Sequence, residues 1–327
     1  MNLNNITAYR LIPLDRGVRG GREPRTKPLP PFLASSEGFI KPQYNHKTNQ
    51  DSAGYFMGKI HGVKVSAALV CDGLGSSADS GEASAKSIEF FAEALFALSH
   101  ISISTFNNQT MLSLIEQTQK RLSSEQIPGA TTFTCAILFP DRAIFAKAGD
   151  SKIITGNTNG SSYHLGYDHN GYWGARETSG LRINVWRTTT EAEKDMEEFN
   201  REYSSKISPK QKEEPAEAKH LRSIYSALSK SRSSQIYATI STIPFEQDKG
   251  KNGRFILFSD GVTLPLDLLG LMLTNKRNSL TAIAKELTRE ELGDDRSFVI
   301  GILPKGNAFN FNRADTEEYK IDPFFTR

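Results

Sequence analysis

Acidic residues recur where apolar, strand-like runs of the sequence end. Such a run ends in Asp-Gly, or in Gly-Asp followed by a small residue, in the segments VCDG, AGDS and FSDG. Carboxylates brought together at strand ends repel one another unless a cation neutralises them, and oxygen ligands select hard cations such as magnesium or manganese. One Asp-Gly alone indicates only a turn, but the set predicts a divalent metal site. The acids are Asp72, Asp150 and Asp260 in these segments, Asp294 and Asp295 just before another strand, and Asp51 after Thr-Asn-Gln.

The elements that must position these acids follow from the hydrophobic periodicity. Asp141 lies between two apolar runs, which indicates a hairpin with antiparallel pairing. Strands and helices do not alternate regularly, so the order predicts an α+β fold with a central β-sandwich of two antiparallel sheets flanked by helices. Strands are predicted at 53–57, 63–71, 132–139, 143–148, 152–155, 255–259 and 297–303, and helices at about 81–98, 111–122, 266–274 and 279–292.

Composition divides the chain into one domain with two peripheral ends. Residues 1–43 mix Arg, Gly and Pro without apolar periodicity, which predicts an extended or disordered N-terminal arm. Residues 44–305 carry the predicted strands and helices, interrupted at about 160–235 by a charged insertion that we expect to be solvated. Residues 306–327 are predicted to form a polar C-terminal tail.

Bulk properties indicate an ordinary soluble globular protein. The 327 residues carry a net charge of +3, so the overall charge does not attract the chain to nucleic acid or to membrane. Cys71 and Cys135 lie in apolar runs and are interpreted as reduced core thiols, with one disulfide between them as the alternative. The start of the chain lacks the apolar segment of a secretory signal. We therefore expect a cytoplasmic protein, and a monomer.

Six short segments, in order along the chain, resemble the motifs of the type 2C (PPM) family of metal-dependent serine/threonine protein phosphatases. The resemblance covers roughly residues 44–303. It implies a β-sandwich with a two-metal centre at one end, which hydrolyses phosphoserine and phosphothreonine on proteins by a metal-activated bridging water. The segments are Asn49-Gln50-Asp51, DGLGSSADSGEAS at 72–84, GATT at 129–132, KAGDSK at 147–152, FILFSDGV at 255–262 and DDRSFVIGI at 294–302.

The resemblance also implies a role for each matching residue. Two ions, Mn²⁺ or Mg²⁺, would bind at the centre, with a weaker third beside them. Phosphoproteins would be the substrates, and a cognate protein kinase would be the opposing partner. Carried over by position, Asp72 would bridge the two ions, the Gly73 carbonyl would bind one, Asp260 and Asp294 would bind the other, Asp51 would hold metal-bound water, Asp150 and Asp260 would share the third ion, and Asp295 would support the ligands.

Three positions depart from the family pattern. His46 stands where the family has a phosphate-holding Arg, so either His46 or the adjacent Lys47 would take that role. Some members use a His at the position of Leu74 to protonate the leaving group. Bacterial-type members often have an apolar residue there, as this chain does. Leu264 stands where many members have another acid. The first departure bears on substrate affinity, and the last on the third metal.

Two other functions stay open at the level of the sequence. A type 2C-like domain with a weakened phosphate site would be a catalytically weak or inactive binding or scaffold domain, an idea that His46 motivates. The segment GLGSSA at 73–78 also satisfies a dinucleotide-binding pattern. However, Asp72 would face the pyrophosphate as a like charge, and no acid ends a second strand about 20 residues further on.

Overall fold

Strands are the main regular structure of the described residues. The computed structural model describes residues 6–12, 32–37, 49–74, 80–98, 102–165, 170–175, 183–186, 221–224, 228–229, 236–248, 250–289 and 294–321. In these ranges the α-helices are α1 (Ser80–Phe96), α2 (Asn108–Ser124), α3 (Leu266–Thr274) and α4 (Leu280–Leu287). The strands are β1 (Ile6–Ile12), β2 (Phe32–Glu37), β3 (Ser52–Ile60), β4 (Val63–Cys71), β5 (Ala130–Thr131), β6 (Phe133–Leu138), β7 (Arg142–Ala148), β8 (Lys152–Asn157), β9 (Ser162–Leu165), β10 (Asn170–Ala175), β11 (Ile183–Trp186), β12 (Leu221–Ile224), β13 (Leu228–Ser229), β14 (Ile236–Gln247), β15 (Gly253–Phe258), β16 (Arg296–Ile302), β17 (Asn307–Phe309) and β18 (Asp315–Ile321).

Two antiparallel sheets carry the fold, which confirms the predicted fold class. In the described residues the first sheet has the order β1-β3-β4-β6-β7-β14-β17, with β18 also paired to β14, and the second has the order β2-β16-β15-β8-β9. The hairpin predicted at Asp141 is confirmed, because β6 and β7 pair antiparallel on either side of it. The strand before the glycine-rich segment, β4, has antiparallel neighbours on both sides. In the described residues this segment therefore does not follow a parallel strand, as a dinucleotide-binding unit would require.

Three apolar clusters explain the layering. Between the sheets, Tyr55, Val70 and Phe145 of the first pack with Phe255 and Val299 of the second. The outer face of the first sheet packs against α1 and α2, and the outer face of the second against α3 and α4. Each sheet is thus covered on both faces, and strands such as β6 and β15 are buried along their whole length.

Local signals start two of the helices. Asn107 precedes α2, and its side chain accepts a hydrogen bond from the Thr110 amide at 3.0 Å. Ser279 precedes α4 in the same way, accepting from the Ala282 amide at 3.1 Å. Such caps satisfy amide groups that have no partner inside the helix.

Both ends of the chain are more ordered than their composition predicts. In the predicted arm, β1 pairs with β3 of the first sheet and β2 pairs with β16 of the second. In the predicted tail, β17 and β18 both pair with β14. Phe32 and Phe309 are fully buried between the sheets, so a few apolar residues fix segments whose other residues are mostly polar.

Residues 169–226 form a compact unit of their own. Its described part is a three-stranded antiparallel sheet with the order β11-β10-β12. This unit falls within the range whose composition set it apart as an insertion. The charged stretch at 191–219, part of the insertion that we expect to be solvated, lies outside the described residues.

Two further expectations concern cysteines and membranes. Cys71 and Cys135 are buried free thiols, which confirms their interpretation as reduced core residues. Among the residues that the structure describes, no helix has the length and apolar character needed to cross a membrane.

Candidate metal centre

The sheet register brings the acids to one end of the sandwich. Ser52 pairs with Cys71, so Asp51, just before β3, lies beside Asp72, just after β4. In the second sheet Lys152 pairs with Phe258, which places Asp150 near Asp260. The Ser259 amide donates to the Ser297 carbonyl at 3.0 Å, so the turn at Asp260 also lies next to Asp294 and Asp295. Acids from both sheets therefore share one edge of the core.

The solvent exposure of the acids increases from Asp51 to Asp260. Asp51 is 1% exposed, Asp72 and Asp150 are half-buried, and Asp260 is exposed. Burial raises the pKa of Asp51 to about 7, with the nearby Ser259 hydroxyl opposing this and the charge of Asp295 adding to it. The unfavourable ionisation of Asp51 follows from a carboxylate held away from water among like charges.

Neighbouring charges also raise the pKa values of Asp72 and Asp150. Burial raises the pKa of Asp72 well above its usual range, and the charges of Asp51, Asp260 and Asp150 raise it further. Burial and the charge of Asp260 raise the pKa of Asp150 to about 6, although Lys147 and Lys152 lower it. Each carboxylate thus makes its neighbour harder to ionise, which is the electrostatic situation that a bound cation relieves.

The Asp72-Gly73 turn is held by the Gly-Ala-Thr-Thr segment. The Asp72 amide donates to Thr132 Oγ1 at 3.0 Å, and the Thr132 amide donates back to the Asp72 carbonyl at 2.8 Å. Thr131 Oγ1 donates to the same carbonyl at 2.9 Å. Thr132 Oγ1 also lies 2.7 Å from Ser151 Oγ, next to Asp150. These hydrogen bonds couple two of the acidic turns.

Two glycines allow the acidic turns to approach neighbouring backbone. A Cβ at Gly73 would collide with the Gln50 carbonyl oxygen and lie 2.8 Å from the Gln50 Cβ. A Cβ at Gly261 would collide with the Asp295 carbonyl oxygen and lie 2.7 Å from its carbon. Glycine in each Asp-Gly pair is therefore required by the close approach of another site segment.

Asp295 ties the two sides of the cluster together. Its Oδ2 accepts a hydrogen bond from the Gln50 amide at 2.8 Å, and its own amide donates to Asp294 Oδ1 at 2.9 Å. Asp295 is 5% exposed. A buried carboxylate in this position orders the backbone beside Asp51.

The donor set suits a hard cation in kind. Its side-chain donors are carboxylate oxygens, and both oxygens of Asp51 are buried without a hydrogen-bond partner in the described residues. Across those residues, no three His, Cys, Asp or Glu side chains are gathered into a ready-made group that could hold an ion. The residues fit a magnesium or manganese ion chemically, and further oxygen donors would be needed to complete its shell.

Sequence comparison assigns the family. A family model described as "Protein phosphatase 2C" matches residues 43–294, most of the chain. The chain belongs to the protein phosphatase 2C family. No curated protein matched the sequence closely enough to count as a relative.

Solved structures of protein phosphatases share this fold. Stp1 of Staphylococcus aureus, a serine/threonine phosphatase, is 13% identical with a TM-score of 0.52, over 87% of this chain and 99% of that one. The S. agalactiae serine/threonine phosphatase is 16% identical with a TM-score of 0.53, over 82% and 98%. The catalytic domain of PstP, in complex with two manganese ions, is 15% identical with a TM-score of 0.50, over 84% and 98%. At these identities the likeness shows the fold.

The predicted site residues are placed unequally by the structure. It brings together Asp51, Asp72 with Gly73, Asp150 and Asp260, and it sets Asp294 beside them. The individual ligand roles stay predictions. His46 and Lys47 lie outside the described residues, so the phosphate-holding position stays a prediction too.

Sequence reasoning missed the polar residues that support the acids. These are Ser36, Asn49, Ser259 and Ser297, which are joined by hydrogen bonds behind Asp51. Asn49 could have been noticed, because an Asn two residues before an Asp can accept a hydrogen bond from its amide. Ser36 gave no signal, because its partners are distant in sequence.

Proposed function

We propose that the protein is a manganese- or magnesium-dependent protein phosphatase that hydrolyses phosphoserine and phosphothreonine. The proposal rests on one observation above all, the gathering of Asp51, Asp72, Asp150 and Asp260 at one end of the sandwich. Membership of the protein phosphatase 2C family supports the reaction class. The manganese ions in the PstP complex support the choice of metal.

Each residue of the cluster has a proposed task. Asp72, the Gly73 carbonyl, Asp260 and Asp294 would hold the two principal ions, and Asp150 with Asp260 a weaker third. When bound, such ions supply Lewis-acid stabilisation of the phosphoryl oxygens and make water at the site more acidic. Asp51 would hold metal-bound water, as the resemblance to the family implies.

The cysteines do not offer an alternative nucleophile. Burial raises the pKa of both thiols, with Cys71 further disfavoured by the charges of Asp51 and Asp72. A thiolate is the reactive form of cysteine. A phosphocysteine intermediate is therefore disfavoured, in agreement with direct attack by water.

Metal-dependent hydrolysis is tested on the full chain after metal stripping. p-Nitrophenyl phosphate and a phosphothreonine peptide are offered with Mn²⁺, with Mg²⁺ and with EDTA. We expect turnover of both substrates with either metal and none in EDTA, because the proposed ligands are all oxygen atoms. Full turnover of the stripped protein in EDTA would refute the mechanism.

A catalytically weak or inactive binding domain is the second candidate. It is motivated by His46, which stands where the family has a phosphate-holding Arg. Such a domain would bind a phosphopeptide without releasing phosphate. Calorimetry with the same phosphothreonine peptide, beside the turnover assay, separates binding from hydrolysis.

The location, oligomeric state and partners of the protein are proposed from the sequence. We place the protein in the cytoplasm as a monomer, with phosphoproteins as substrates and a cognate protein kinase as the opposing enzyme. No binding of nucleic acid or membrane is part of the proposal.

A further inference from the structure

A chain of hydrogen bonds runs behind the acidic cluster and joins both sheets. The Ser297 amide donates to Ser259 Oγ at 2.9 Å, and Ser297 Oγ donates to Ser36 Oγ at 2.7 Å. Asn49 Nδ2 donates to the same Ser36 oxygen at 2.8 Å. The Asp51 amide donates to Asn49 Oδ1 at 3.0 Å. The chain therefore begins next to Asp260 and ends at Asp51.

Ser36 is the member at which the two halves of this chain meet. Its oxygen accepts from both Asn49 and Ser297, and its own proton points to the Asp51 carbonyl at the longer distance of 3.4 Å. Ser36 lies on β2, where it pairs with Ser297. One hydroxyl of β2 thus links the segment before Asp51 to the strand that follows Asp295.

The carboxylate of Asp51 depends on this backbone support. Both of its oxygens are buried and find no hydrogen-bond donor in the described residues. The Ser259 hydroxyl and Asp72 lie near this carboxylate, and the backbone at 49–51 sets where it starts. That backbone is held by Asn49 on one side and by the Gln50 amide bonded to Asp295 on the other.

We propose that Ser36 is a positioning residue for the metal centre, acting through Asn49 to place Asp51 opposite Asp260. The proposal deepens the proposed function and rests on it. Loss of the Ser36 hydroxyl leaves the Asn49 amide and the Ser297 hydroxyl without their shared acceptor. Buried polar groups that lose a partner reorient or pay the cost of desolvation. Residues that orient metal ligands from behind change metal affinity by about 10–100-fold when they are removed.

The test compares the full-length parent with Ser36→Ala, Ser36→Thr and Ser35→Ala. Ser36→Thr keeps the hydroxyl, and Ser35 is the adjacent residue of β2, paired with Phe298 rather than Ser297. Two readouts are taken. Calorimetry with MnCl₂ alone gives the metal affinity, and amide hydrogen exchange of the metal-free protein follows the peptide that contains residues 49–51.

Ser36→Ala is expected to raise the Kd for Mn²⁺ about tenfold and to speed exchange at the Asp51 amide. Ser36→Thr and Ser35→Ala should match the parent in both readouts. Unchanged exchange at residues 49–51 in Ser36→Ala would overturn the proposal, and so would an equal loss in Ser35→Ala.

The exchange readout keeps the two proposals separable. A parent that binds no Mn²⁺ would overturn the proposed function, while exchange in the metal-free variants would still decide the role of Ser36. If Ser36→Ala does not fold, Ser297→Ala removes a donor from the same oxygen. It should then shift both readouts in the same direction, and no shift would overturn the proposal.

Discussion

At the scale of single residues, Asp72 is the acid on which the other charges converge. Asp51, Asp260 and Asp150 all raise its pKa in addition to burial. Asp72→Asn removes that charge at almost constant size, so the Tm of the metal-free protein should hold or rise. Turnover should fall by at least about a hundredfold, beyond the usual effect of an outer partner. Turnover and Tm are measured with and without Mn²⁺.

Asp150→Asn is the matched control for this substitution. Asp150 lies at the same end of the sandwich, but the charges of Lys147 and Lys152 partly neutralise it, and it is proposed to bind only the weaker third ion. Its loss of turnover should be smaller. Near-normal turnover in Asp72→Asn would contradict the proposed centre.

The same acids predict how stability depends on pH. The pKa of Asp51 is raised from 3.8 to about 7, and that of Asp150 from 3.8 to about 6. Between these values the folded protein holds protons that the unfolded chain has released, so the free energy of unfolding falls as the pH rises. One such group contributes about 1.4 kcal/mol for each pH unit.

Melting of the metal-free protein in EDTA measures this dependence. The Tm should fall from about pH 5 to about pH 8, and Asp51→Asn should flatten the fall. The stability gained from holding these protons in the folded protein is fully present at low pH and is lost as the pH rises above the folded pKa. A Tm that rises over this range would show that the acids ionise freely in the folded protein.

At the scale of elements, most central strands were predictable, whereas β14 inside the first sheet and the outer strands were not. β6 and β15 are covered on both faces, and their sequences FTCAIL and GRFILF are mostly apolar. β2 and β18 have the sequences FLASSE and DTEEYKI. They join the sheets through backbone hydrogen bonds and few buried side chains, and backbone pairing leaves little trace in composition.

The site divides in the same way. Its acids could be predicted, because each sits in a short local motif at the end of a strand. The hydroxyl of Ser36 could not, because its partner Ser297 is 261 residues away and only the pairing of β2 with β16 brings them together.

Gly261 lies close to the Asp295 backbone, so a larger residue there should disturb the turn after β15. In Gly261→Ala the new methyl group would meet the Asp295 backbone. The variant should lose about 1–3 kcal/mol of unfolding free energy, the usual cost of overpacking. It should also bind Mn²⁺ more weakly, because the Asp260 turn is pushed away from Asp295. Urea unfolding and calorimetry provide the two measurements.

Gly250→Ala is the control for this turn. There the new methyl group meets only Asp248 Oδ1, at 3.3 Å, in an exposed position. Its effect should stay within about 1 kcal/mol. An equal effect of both substitutions would mean that the contact with Asp295 is not what requires glycine.

At the scale of the whole molecule, the unit at 169–226 should be separable from the chemistry. We propose replacing residues 191–219 with a Gly-Ser linker of about eight residues. β11 and β12 flank β10 and run parallel, and a parallel connection needs about a dozen residues. The Tm and turnover of p-nitrophenyl phosphate should be unchanged, because this charged stretch lacks an apolar stripe.

Turnover of phosphoprotein substrates by this variant tests the role of residues 191–219. Loss of their turnover alone would identify it as a recognition element, whereas unfolding of the variant would show that a peripheral insertion is the wrong description. Replacement of 191–219 by a linker of equal length and the same composition in scrambled order separates loss of sequence from loss of length.

The pairing of both chain ends has a consequence for synthesis. β1 begins the described chain and β18 ends it, and both belong to the first sheet. Ribosomes add about 5–20 residues per second, so tens of seconds separate the emergence of the two strands. During this time the apolar strands of the nascent chain lack part of their final surroundings. The first sheet can therefore be complete only once β18 has been synthesised, long after β1.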